Sequence, residues 1–141
     1  MERRNFIGLS VTGVGASFLA PGIVGAKETN QQMAGGIFYT KQNPGRWSKK
    51  IAGHLPNIEI EQLDGMVKVQ VVTAHGMDAY QHYIVKHVLL DQDYNFLDEK
   101  MFDPMNDKAP ISLFTLKNYS GRIYALSMCN KHDLWLNSAE V

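Results

Sequence analysis

The chain is almost without cysteine: in 141 residues only Cys129 carries a thiol. One thiol cannot close an intramolecular disulfide, so the fold does not rely on an oxidising compartment. Cys129 is left as a buried apolar residue, a nucleophile or a metal ligand. Net charge is also missing, at a formal +0. No cluster of Lys or Arg alternates with aromatic residues, which excludes the electrostatic footprint of a nucleic-acid binder. Beyond Ala26 there is no long 3.6-residue period and no internal repeat. What remains is 45 % apolar and 20 % charged, enough for one domain to build a core without staples.

The N-terminus, MERRNFIGLSVTGVGASFLAPGIVGAKE, pairs Arg3 with Arg4 ahead of a moderately apolar stretch, Ile7 to Val24. Small residues follow, Val24-Gly25-Ala26. These are the parts of a twin-arginine export signal over residues 1–26, with cleavage expected after Ala26. Pro21 and the glycines between Gly8 and Gly25 weaken it as a spanning helix, which wants about 20 strongly apolar residues. No stable membrane span is therefore expected, and the working place is periplasmic or at the cell envelope. Residues 27–36, KETNQQMAGG, read as a flexible linker, and 37–141 as the folded domain.

Short strand-like runs recur in that domain. Ile37 to Thr40, Ile58 to Leu63, Met66 to Thr73, His82 to Leu90, Ile111 to Leu116, Ile123 to Met128 and Leu134 to Leu136 are strand candidates. Asp64-Gly65 is a hairpin turn signal, and Asn118 to Gly121 supplies turn chemistry. Asp91 to Lys108 reads as turns with at most a short strand. The pattern predicts an all-β fold, a β-sandwich.

Chemistry concentrates in the histidines and the thiol. Cys129 and His132 form a Cys-x-x-His pair, which puts a thiolate and an imidazole at the ends of one tight turn. A Cys–His nucleophile would need an orienting group, and Asn130 and Asp133 are near. His75 and His82 flank the loop GMDAYQ. His54 precedes Leu55-Pro56, where Leu55 must be extended, so His54 is expected in a loop. His87 lies five residues after His82. In a regular strand an odd offset turns the two to opposite faces, so His87 is expected to be structural or at the surface. The remaining set is His54, His75, His82, Cys129 and His132. It exceeds the four ligands of structural zinc and the two His and one Cys of blue copper, and it favours a redox metal such as iron.

Three segments resemble the superoxide reductase family, the iron domain also called neelaredoxin and found at the C-terminal end of desulfoferrodoxins. CNKHDLW is similar to that family's C-N-x-H-G-L-W ending, HGMDAYQHYI to its H-P-x-x-x-x-H-[HY]-I segment, and GHLPNIEI to its E-K-H-x-P loop. The resemblance covers about residues 45–137. It implies an immunoglobulin-like β-sandwich of about seven strands. It also implies one non-haem iron, held by His54, His75, His82 and His132 in a plane with Cys129 on the axis. The implied activity is one-electron reduction of superoxide to hydrogen peroxide, with Fe(II) going to Fe(III) and an external electron donor restoring it. Homo-oligomers are expected from the same source. Hydrogen bonds to the sulfur would tune such a thiolate, and the backbone N–H groups of Lys131 and His132 are candidate donors.

The chain departs from that family at Ala52 and Gly53, where Glu and Lys would stand. Lys49, Lys50 and Lys131 are candidates to replace the lysine in steering the anion. Gly76 stands in place of a proline, in a loop one residue longer than usual. Two other readings stand beside superoxide reduction. One is an iron-binding electron carrier or sensor with little superoxide turnover. The other is a metal-free β-sandwich interaction module.

Overall fold

The computed structural model describes residues 33–141. The twin-arginine segment and residues 27–32 of the expected linker lie outside the described residues. Residues 33–36 form a hydrogen-bonded turn, with Gly35 N–H donating to the Phe38 carbonyl at 2.7 Å and Ile37 N–H to that of Met33 at 2.9 Å.

Seven strands follow: β1 (Asn57–Leu63), β2 (Met66–Val72), β3 (Ile84–Leu90), β4 (Phe96–Met101), β5 (Ile111–Lys117), β6 (Arg122–Cys129) and β7 (Asp133–Glu140). They form two antiparallel sheets, ordered β1-β2-β5 and β4-β3-β6-β7. This is the all-β sandwich that the alternating pattern predicts. Asp64-Gly65 makes the first hairpin: Leu63 pairs with Met66, and Gly65 takes φ +69°, a left-handed value that glycine adopts without strain.

The alternation in β2 is visible as burial. Val67, Val69 and Val71 point inward and meet Phe114 of the neighbouring β5 and Leu89, Ile123 and Ala125 from the facing sheet. A smaller apolar group, Ile84, Phe102 and Cys129 with Met77 against it, forms a second cluster. Cys129 thus ends β6 on an apolar floor.

Several boundaries differ from the sequence reading. Ile37 to Thr40 makes no strand; Tyr39 instead bridges β7, accepting from Leu136 N–H and donating to the Leu134 carbonyl, both at 2.8 Å. The Asp- and Asn-rich stretch contains β4, an edge strand whose polar residues face solvent, which hides it from a hydrophobic pattern. The last strand runs to Glu140, because β6 pairs with it along its full length.

Candidate metal centre

Three connections and one strand end deliver the five residues. The first carries a short helix, α1 (Ile51–His54), closed by Leu55 N–H bonding the Ile51 carbonyl at 2.9 Å. Leu55 is extended at ψ 122°, as a residue before proline must be. His54 therefore ends a helical turn rather than sitting in a loop, and it is buried at 4 % exposure. The loop between β2 and β3 carries His75 and His82. Here β3 starts at Ile84, two residues later than the pattern predicts, and a bulge interrupts its pairing between Ile84 and Lys86. The strand-parity argument against His87 thus rests on a strand that does not reach His82. Its conclusion still holds: His87 lies between the sheets, hydrogen-bonded to Thr73 and Ser112, away from the centre.

The turn between β6 and β7 presents Cys129 and His132. Trp135, fully buried, donates its indole N–H to the His132 carbonyl at 2.9 Å. Asn130 ties this turn to the other loop: its Oδ1 accepts from Tyr83 N–H at 3.0 Å and its Nδ2 donates to the Gln81 carbonyl at 3.1 Å. Asp133 bonds Arg46 and Trp47. Neither residue orients the His132 ring by a hydrogen bond, so the nucleophile pair has no third member.

The five ligand atoms lie within 4.8 Å of one another. His54 Nε2 is 3.0 Å from His132 Nδ1, that atom is 3.1 Å from His82 Nε2, and His82 Nε2 is 3.1 Å from His75 Nε2. Neighbouring rings are nearly perpendicular with centroids 4.5–4.9 Å apart, while His54 and His82 face each other across 6.3 Å. Four nitrogens thus stand at the corners of a rough square, with three of its sides 3.0–3.1 Å long. Cys129 Sγ lies 3.5 Å from His132 Nδ1 and 3.9 Å from His75 Nε2, and Lys131 N–H reaches it at 3.5 Å. Of the two expected backbone donors, Lys131 makes this contact.

Protonation agrees with ligation. His54 Nδ1 donates to the Lys50 carbonyl at 2.9 Å, and His75 Nδ1 to that of Gly76. In the tautomer that donates through Nδ1, the Nε2 lone pair is left to face inward. Burial, opposed in part by the Lys50 carbonyl, pushes His54 down to about 4. Burial also lowers His82 and His132, helped by neighbouring histidines and by Lys50 and Lys131. The lowered His54, His82 and His132 thus favour a shared cation over protons.

A sequence model of the Desulfoferrodoxin family matches residues 45–138. The chain belongs to the desulfoferrodoxin family. No curated protein sequence matches it significantly. Among solved structures, a superoxide reductase (neelaredoxin) from Ignicoccus hospitalis is 30 % identical, with 76 % of this chain and 95 % of that one covered and a TM-score of 0.63. A superoxide reductase in the oxidised state is 31 % identical over 62 % of this chain and 87 % of the other, with a TM-score of 0.54. The enzyme from Nanoarchaeum equitans, at 21 % identity, 64 % and 94 % coverage and a TM-score of 0.55, shares the fold.

In this desulfoferrodoxin-family chain the donor set fits one non-haem iron: four imidazoles, three through Nε2 and one through Nδ1, and one thiolate. Four of the five lie on loops or a helical turn, which sets the site at one end of the sandwich. Of the three candidate lysines, Lys50 and Lys131 act on His82 and His132, and Lys49 is not among the groups that shift them. Sequence reasoning assigns no role to Trp47, which stands perpendicular to His132 at 4.8 Å. Its signal was slight, a lone tryptophan in a Pro-Gly turn.

Proposed function

We infer that the protein reduces superoxide at this centre. The observation that carries the reading is the square of four histidine nitrogens with one cysteine sulfur beside it, in a chain of this family. The similarity to superoxide reductases supports it. Bound iron would supply the single electron. The residues of the chain do the rest. Cys129, at 3 % exposure, is kept from solvent by Ile84, Phe102 and Met77, so its sulfur would hold bound iron from a dry setting. The Lys131 N–H on Sγ tunes that sulfur. Lys50 and Lys131 add positive potential at His82 and His132, where an anion must arrive. An external donor returns the electron, and the Arg3-Arg4 segment supports work outside the cytoplasm.

Ferrous protein mixed with superoxide is expected to consume one equivalent per iron without evolving dioxygen. Release of dioxygen, or no consumption, contradicts the reading. Ala52 and Gly53 favour one alternative, an electron carrier at the same site. A second-order rate far below about 10⁸ M⁻¹s⁻¹ would support it. Steering has its own test. Replacing Lys50 and Lys131 together with alanine should lower that rate by about 3- to 10-fold at low salt and flatten its dependence on ionic strength. Lys49→Ala should leave both unchanged.

A further inference from the structure

Metal-bound histidines usually have their outer nitrogen hydrogen-bonded, which fixes the ring plane. His54 and His75 meet this through the Lys50 and Gly76 carbonyls. The outer nitrogens of His82 and His132 have no hydrogen-bond partner among the described residues. For His132 the backbone is held by Trp135, but that bond leaves the ring free to turn about its own torsion. Apart from the other ligand side chains, the aromatic contact on the ring is Trp47, at 4.8 Å and 87°.

Trp47 is itself held. Its Nε1–H donates to Asp133 Oδ2 at 2.8 Å, and Arg46 donates to the same oxygen at 2.6 Å. The Arg46 guanidinium lies 4.7 Å over the indole, a cation–π arrangement. Asp133 occupies φ +64°, where glycine is the unstrained choice. It stands at the glycine of the C-N-x-H-G-L-W ending. The chain therefore keeps a side chain in a strained backbone position, and that side chain takes two charge-assisted or polar bonds. The Arg46–Asp133 pair is largely exposed, so it contributes little stability as an ion pair.

We propose that Asp133 is a positioning residue for the metal centre: by holding the Trp47 indole it sets the plane of the His132 ring and keeps Nδ1 aimed at the other ligand atoms. The proposal rests on the metal centre and not on superoxide turnover. Positioning of this kind alters metal affinity by about 10- to 100-fold.

The test titrates metal-free protein with Co(II), following the sulfur-to-cobalt absorption, and records thermal unfolding of the same metal-free samples. Asp133→Gly is expected to weaken cobalt binding at least tenfold while the unfolding midpoint stays level or rises, because glycine suits that φ. Trp47→Phe keeps a ring but loses the N–H, and should reproduce the loss. The double variant should bind no worse than Trp47→Phe alone, as expected of residues acting in series. Asp133→Asn, which keeps an acceptor, should restore part of the affinity. Wild-type affinity and absorption in Asp133→Gly or Trp47→Phe would overturn the proposal. So would additive losses, or an affinity loss that only tracks loss of stability. If Asp133→Gly does not fold, Trp47→Phe decides alone. Failure of the unaltered protein to bind cobalt or iron contradicts the metal centre itself, a separate outcome.

Discussion

Oxidised, iron-loaded protein carrying Cys129→Ala is expected to be colourless where the unaltered protein absorbs visible light. The absorption arises from charge transfer between sulfur and iron, and Cys129 is the single thiol of the chain. Its Sγ is the sulfur within reach of the histidine square. The substitution removes one buried atom from the small cluster of Ile84, Phe102 and Met77, so the fold should lose only about 1–2 kcal/mol. Four nitrogens remain, and some iron should still bind, but superoxide reduction should fall by orders of magnitude without the thiolate's electron donation. Visible spectra and metal analysis on one sample separate the effects. Retained colour would contradict the assignment of Cys129.

The largest effect on stability is expected away from the metal. His87, fully buried on β3, shares hydrogen bonds of 2.8 Å with Thr73 Oγ1 and Ser112 Oγ, and Thr73 in turn bonds Ser127 at 2.8 Å. The cluster joins both sheets through four polar side chains with no buried side-chain polar atom left unpaired among the described residues. His87→Ala leaves two hydroxyls without that partner and opens a cavity, so urea unfolding should show a loss of about 3–5 kcal/mol. Burial alone pushes His87 down to about 4. The sign follows from linkage: between pH 6.5 and 4 the unfolded chain takes up a proton that the folded chain refuses. Metal-free protein therefore loses stability as pH falls through that window, by up to about 3 kcal/mol from this residue. The His87→Ala variant should show a shallower slope there. A residual slope is expected, since His54 is lowered as far. An unchanged slope would contradict the buried, neutral state of His87.

Much of this was legible in the residues. The alternation of Met66 to Val72 and the Asp64-Gly65 turn specify a hairpin, which the structure closes with Leu63 opposite Met66. The five ligands were separable because histidine and cysteine are few and their spacings distinctive. Other features carried no local signal. β4 is an edge strand that is half charged, with no apolar alternation, so pairing with β3 defines it, not hydrophobicity. His54 ends a helical turn in which its own Nδ1 bonds the Lys50 carbonyl, a contact that no periodicity shows. The partners of His87 come from two other segments, and the Trp47–Asp133 contact spans 86 positions. Long-range polar contacts of this kind leave no trace in a local pattern.

The central claim is a single iron held by four imidazoles and one thiolate. X-ray absorption at the iron edge, on protein loaded anaerobically with Fe(II), tests it directly. The account predicts one iron per chain with about four nitrogen neighbours at roughly 2.1 Å and one sulfur at roughly 2.3–2.4 Å. Iron bound without a sulfur neighbour, or no stoichiometric iron at all, would contradict it.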